Sequence, residues 1–320
     1  MKHGFGFACG LILVVLALTF WPRPLAQRLA TLRADGLRVA DVYQRMASDP
    51  SPIDVAFIGT SHVMNGIDDR GVEETLARAG IRAKVANLGT TWMGRDMHLF
   101  LTRKLLAFKK PRLVVVEINE HEPPYGHPML PYVASASDMF CCRFLTDMNF
   151  PKMYMLFLKE QLYGALSAAR PSAAAASLSK SWTYGWSPLD RDWDGNMPQE
   201  RSLGERIQGL IGSKAREAAY KLTSDFGKQA VHQIADLLRA NDVRVAFLYL
   251  PEYAFASGAE SENLQFYGNL GPVLVPPAAL VADRRNWADF AHLNRDGALQ
   301  LVPYMSRAIA DLLLSKEAER

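Results

Sequence analysis

"DVAFIGTSHVMNGID", residues 54–68, decides how the rest of the chain is read. Asp54 to Ile58 has the character of a short strand, and Gly59-Thr60-Ser61-His62 is the small turn that leaves it. A near-continuous apolar run signals a strand buried on both faces, as in a parallel sheet. Open sheets of that kind bind ligands beyond the carboxyl ends of their strands. Ser61 stands at such an end, with His62 beside it. The turn alone says little, because a serine between a strand and a helix is ordinarily a helix cap.

Outward from this segment the pattern repeats. Strands are expected at 53–59, 83–88, 112–118 and 243–250, and helices at 70–79, 95–108, 225–241 and about 295–315. The last helix carries Leu299, Leu301, Ile309, Leu312 and Leu313. Short apolar strands alternating with helices predict an α/β fold with a parallel sheet covered on both faces. About a hundred residues, 121–222, interrupt the alternation after the third strand. They run from "HEPPYGHPMLPY" through "SAARPSAAAASLSKS" to "WTYGWSPLDRDWDGN" and read as an insertion that builds a cap or acceptor groove. The α/β body is then 51–320.

The other end of the chain has a different texture. "GFGFACGLILVVLALTFW", residues 4–21, carries no charge, and eighteen apolar residues are about the minimum for a membrane-spanning helix. Pro24-Leu25-Ala26 is a poor cleavage site, so residues 1–21 read as an uncleaved transmembrane anchor, with a cleaved signal as the alternative. Lys2 favours a cytoplasmic N-terminus, whereas Arg23, Arg28, Arg33 and Arg38 after the span argue the opposite way. Residues 22–50, with Leu25, Leu29, Leu32, Leu37, Val39 and Val42 on a loose helical period, predict a helical stalk closed by "SDPSP".

Composition excludes several classes. The net charge of +3 comes from basic residues dispersed among acidic ones, which argues against a nucleic-acid partner. Three cysteines, two of them adjacent, make neither a disulfide framework nor a metal-ligand spacing.

Three more blocks bear on Ser61. The second strand ends in "ANLGTTWMG", which places Gly89 in the next loop. The third ends in "VVVEINEHEP", which places Asn119 in the loop after it. Near the C-terminus "NWADFAHLNRDG" holds Asp289 and His292 three residues apart. Acyl transfer needs a nucleophile, a base, an orienter for the base and donors for the oxyanion. Ser61, His292 and Asp289 can fill the first three roles, with Asp289 fixing the imidazole tautomer. The amides of Ser61 and Gly89 and the side-chain amide of Asn119 can supply the donors.

Ser, Gly, Asn and Asp-x-x-His, in this order and on these elements, resemble the SGNH (GDSL-type) hydrolase superfamily over roughly residues 52–120 and 240–315. The resemblance implies a three-layer α/β/α, flavodoxin-like sheet and a serine mechanism without cofactor or metal. Two blocks depart from the family pattern. Thr60 stands where the family often has Asp, and Glu117-Ile118-Asn119-Glu120 where Gly-x-Asn-Asp is common. Divergence of this kind is similar to the membrane-tethered branch, whose members add or remove acyl groups on cell-envelope polymers. It implies an esterase or O-acyltransferase acting on O-acetyl groups of an envelope or secreted polysaccharide. It also implies a single-pass inner-membrane protein with its C-terminal domain outside the cytoplasm, and a membrane acyl-donor protein as partner. A non-catalytic module that binds polysaccharide or scaffolds an export complex, and a cytoplasm-facing lipid or thioester hydrolase, are the competing readings.

Other features are weighed against plainer ones. Asp190, Asp192, Asp194 and Gly195 begin like a calcium loop, but the twelfth position falls on Arg201, which leaves an acidic surface turn. The prolines of "HEPPYGH" exclude the helical spacing of a zinc motif for His121 and His127. His62, Trp92, Tyr125, Trp182 and Trp186 are the candidates for substrate contact. Flat aromatic faces can stack on sugar rings, although a tryptophan cluster inside an insertion also serves as its small core.

Overall fold

The computed structural model of the chain describes residues 2–23, 28, 38–119, 122, 125–140, 149–168, 184–195, 214–253 and 261–315. At its centre lies a wholly parallel sheet of β1 (Val55–Ile58), β2 (Val85–Asn87), β3 (Leu113–Ile118), β4 (Arg244–Tyr249) and β5 (Val273–Leu274). The strand order is β2-β1-β3-β4-β5, that of the flavodoxin-like doubly wound sheets. In chain order the helices are α1 (Lys2–Thr19), α2 (Arg38–Ala47), α3 (Ser61–Gly66), α4 (Asp69–Arg78), α5 (Arg95–Phe108), α6 (Leu130–Val133) and α7 (Ala136–Phe140). They continue with α8 (Phe150–Ala168), α9 (Lys214–Ala240), α10 (Ser261–Gly268), α11 (Ala278–Ala282) and α12 (Arg295–Leu314).

Strand side chains alternate between the two faces of the sheet. Val114 and Val116 of β3 join a core with Val42, Met46, Leu101 and Leu238 from α2, α5 and α9. Leu113 and Val115 join the opposite core with Val63, Leu76, Leu301 and Ile309 from α3, α4 and α12. All residues of β1, β2 and β3 are buried, which is why these strands read as unbroken apolar runs. The chain turns from β2 back past β1 to β3, so the switch point of the sheet lies between β1 and β3.

The expected strands and the helices at 70–79, 95–108 and 295–315 form within a residue or two of their expected ends. The helix expected at 225–241 ends as expected but begins at Lys214, inside the expected insertion, and two further readings change. Of the expected stalk, residues 38–47 form α2, whose Val39, Val42 and Met46 are buried in the core. Burying such side chains stabilises by about 1.5–3 kcal/mol each, so the amphipathic stripe docks on the body. Residues 24–27 and 29–37 lie outside the described residues. β5 was not expected, because two residues carry no period.

The expected anchor forms the helix α1, with Leu11, Ile12, Leu13, Val14 and Leu16 exposed. Its 18 residues rise about 27 Å. Among the described residues no helix is long and apolar enough to cross a membrane. The α1 end is tied to α8: Thr19 Oγ1 and Tyr154 OH lie 2.6 Å apart, and Arg23 Nη1 lies 3.5 Å from Glu160 Oε2.

Candidate active site

Ser61 opens α3 at the carboxyl end of β1, but it does not cap the helix. Thr60 does: it is extended at φ −89° and ψ −160°, and its Oγ1 accepts from the His62 N–H at 3.3 Å. The Ser61 hydroxyl is therefore left for other partners. Its own N–H, in the first turn, has no acceptor within the helix.

His292 reaches Ser61 from the loop before α12. That loop is stapled at both ends. Trp287 and Leu293 form an antiparallel bridge, and the Ala288 N–H donates to the His292 carbonyl at 2.8 Å. Trp287 is buried, with Nε1 donating to the Val281 carbonyl at 2.9 Å. Asn294 caps α12 by accepting from the Gly297 N–H at 2.9 Å. On this frame His292 Nε2 lies 2.8 Å from Ser61 Oγ, and His292 Nδ1 lies 2.8 Å from Asp289 Oδ1. A carboxylate only accepts, so Nδ1 carries the proton and Nε2 faces the serine as an acceptor.

Asp289 Oδ1 also accepts from the N–H groups of Ala291 and His292, each at 2.9 Å. Burial pushes this carboxyl up. The His292 imidazole, the Ala291 N–H and Arg191 outweigh it and hold the group well below the usual carboxylate range.

Among the expected oxyanion donors, Asn119 stands out. It is only 3% exposed, and its Nδ2 is buried with no hydrogen-bond partner among the described residues. A buried polar group in that condition costs free energy unless something arrives to accept from it. The Gly89 amide behaves differently, since it donates to Asn87 Oδ1 at 3.0 Å. What the structure requires of Gly89 is the missing side chain: a Cβ there would stand 2.5 Å from the Met64 nitrogen.

The candidates for substrate contact separate. His62 lies against the relay, its ring edge-on to His292 with centroids 5.4 Å apart. Trp92 is 63% exposed in the left-handed region at φ 70°, a strained conformation for a bulky residue. Its neighbour Thr91 is held by His127, whose Nε2 lies 2.7 Å from the Thr91 carbonyl oxygen. Tyr125 is half-buried, and burial pushes its phenol up. Trp186 does not stand free for stacking. Its Nε1 donates to the Asn65 carbonyl at 2.7 Å, and the Arg295 guanidinium lies 5.5 Å above its ring. Trp182 lies outside the described residues.

Trp186 belongs to residues 184–195, which run as a strap over this side of the molecule. Buried Asp69 receives the N–H groups of Gly185 and Trp186, and Ser187 donates to the Met64 carbonyl at 3.0 Å. The acids of the calcium-like turn are engaged here too: Asp190 pairs with Arg295, and Asp192 accepts from Asn294. The strap also delivers Arg191, whose Nη2 lies 2.6 Å from Asp289 Oδ2. Among the described residues no group of acids, histidines and cysteines is placed to hold a metal ion.

Two site residues escaped the sequence reading: Arg191, for which no local signal exists, and Glu117. An acid inside "LVVVEI" was the available signal, because a carboxylate in a strand buried on both faces needs partners.

No family model matches the chain, and no curated protein sequence is significantly similar to it.

Proposed function

We propose that the chain is a serine esterase or O-acyltransferase of the SGNH type, working on acyl groups of an envelope or secreted polysaccharide and held at a membrane by its N-terminal segment. The observation that carries this reading is the relay Ser61–His292–Asp289, hydrogen-bonded at 2.8 Å in both steps. A binding module needs no such relay.

In this mechanism Ser61 Oγ attacks the acyl carbonyl while His292 Nε2 takes its proton. Asp289 accepts the Nδ1–H and stabilises the imidazolium. The oxyanion is met by the Ser61 N–H and Asn119 Nδ2, and the loss of one such donor typically costs about 3 kcal/mol. The intermediate collapses as His292 returns the proton to the departing alcohol, leaving an acyl-serine. Water or a sugar hydroxyl then attacks that ester, giving its proton to His292, which passes it to Ser61.

An apolar recess of about 240 Å³, open solvent included, is lined by His62, Leu250, Pro251, Val281, Trp287, Ala291 and Leu293. Only about 10 Å³ of it admits the centre of a water-sized sphere, so it is a shallow apolar wall beside His62 and sets no limit on the acyl group. The exposed apolar residues of α1, with Phe20 and Trp21 after them, support attachment to a membrane.

The test is labelling with a fluorophosphonate probe, mapped by mass spectrometry. We expect a single adduct on Ser61 that is lost in both Ser61→Ala and His292→Ala. A folded wild-type chain that stays unlabelled would sink the proposal.

A further inference from the structure

The turn that carries Ser61 is folded around a carboxylate inside the sheet. Glu117 follows Val115 by two residues on β3, so alternation turns its side chain to the Ser61 side of the sheet. That side chain is 0% exposed. Its Oε2 accepts from the Thr60 N–H, and its Oε1 accepts from the Thr60 hydroxyl at 3.0 Å. His62 Nδ1 lies 3.1 Å from the same Oε1. Gly59 makes this approach feasible, since a Cβ there would collide with the carboxylate.

Burial would push the Glu117 carboxyl up, but the His62 imidazole and the Thr60 N–H hold it down to about 2. The group is therefore an anion at neutral pH, and an anion only accepts, so His62 Nδ1 carries a proton toward it. Among the described residues, the other charged or titratable groups around the pair are His98, Arg95, which donates to the Glu117 carbonyl at 2.7 Å, and His292 with Asp289 behind it. Thus the residues immediately before and after Ser61 are both tied to one buried anion. A buried ion pair is weak support for stability, because apolar side chains of the same size often serve folding as well. Its place at both flanks of one serine suits a different task.

We infer that Glu117 and His62 are positioning residues for the Ser61 nucleophile: the Glu117 carboxylate clamps the turn through Thr60 and His62, and the clamped His62 ring braces His292. This inference rests on the reading of Ser61 as the nucleophile. His62, a candidate for substrate contact by sequence, is a brace within the site.

The experiment measures fluorophosphonate labelling of Ser61 and turnover of an activated acetyl ester in the full chain. Glu117→Gln, His62→Ala and His62→Asn are compared, each checked for folding by circular dichroism and thermal melting. The asparagine amide nitrogen can stand where Nδ1 does, so it restores a donor to Glu117 without the ring. Displacing a reacting group by about 1 Å can cost on the order of 10²-fold. Glu117→Gln should lower kcat about 10- to 100-fold with KM nearly unchanged, and His62→Ala about 10-fold, with part of that loss recovered in His62→Asn, which restores the clamp on the turn but not the ring against His292. Should Glu117→Gln fail to fold, the two His62 variants decide the matter. Wild-type rates in the folded variants, with the wild type labelling normally, would overturn this inference alone, as would a His62→Asn no faster than His62→Ala. An unlabelled wild type would remove the nucleophile, and the inference with it.

Discussion

Two carboxylate–imidazole pairs flank Ser61, and they are built in opposite ways. Asp289 and His292 lie three residues apart in one loop, with side chains 24% and 23% exposed. Glu117 and His62 come from different elements, and their side chains are 0% and 16% exposed. In the proposed mechanism the first pair gains and loses a proton on every turnover, and it sits where substrate and leaving group could reach it. The second, in the role inferred for it, holds geometry, and for that the interior is better, because a rigid surround keeps a charge in one place. Closeness in sequence and depth of burial thus follow the task of each pair.

The largest expected effect breaks the exposed pair. Asp289→Asn keeps the size of the side chain but cannot hold the imidazole in the right tautomer. The rate of Ser61 labelling and of ester turnover should fall on the order of 10³- to 10⁴-fold, well beyond the loss expected from Glu117→Gln. Equal losses in the two variants would erase the distinction between proton carrier and brace.

The same contrast explains what could be read in advance. Asp289-x-x-His292 is a local spacing, and a loop folds it without help from afar. The Glu117–His62 pair depends on register: β1 and β3 align Ile58 with Val116, which brings the Gly59-Thr60 turn beside Glu117. No periodicity in either segment contains that fact. Strand β3 was legible because Val114, Val115 and Val116 are buried on both faces, whereas β5 is two residues long and has no pattern to show. The stripe through Val39 and Val42 was legible as an apolar face, but whether such a face meets the body or runs free is a tertiary question. The partners of Trp186, Asn65 and Arg295, are hidden for the same reason, since they lie far off in the chain.

Acid sharpens the comparison from the buried side. Glu117 is held at about 2 against a usual 4.5, so its contribution to stability is complete above about 4.5 and fades as pH falls toward 2. Two buried histidines act at higher pH. Burial, with Arg95 beside it, pulls His98 down to about 3, and burial pulls His127 down to about 4. Both stay neutral in the fold while the unfolded chain takes protons near 6.5, so stability is lost as pH falls from there. The melting temperature should be level from about pH 8 to 7, decline from about 6.5, and decline further below about 4.5. His127→Asn should flatten the part of the slope above about pH 4. A melting temperature unchanged between pH 7 and 4 would show that these imidazoles are not buried as neutral groups.

The smallest effect concerns the strap. Arg191 Nη2 lies 2.6 Å from Asp289 Oδ2, which gives the insertion an apparent grip on the relay. Its side chain is 64% exposed, however, and an ion pair in that setting is worth well under about 1 kcal/mol. Asp289 also keeps the donors of its own loop, the N–H groups of Ala291 and His292. The strap is held elsewhere, by Asp69, Met64 and Arg295. Arg191→Ala should therefore slow turnover less than about 3-fold and leave the melting temperature nearly unchanged. A loss above about 10-fold would mean that a lone solvent-facing guanidinium governs Asp289. The exposed pair would then no longer be self-sufficient, and the insertion would be part of the catalytic relay.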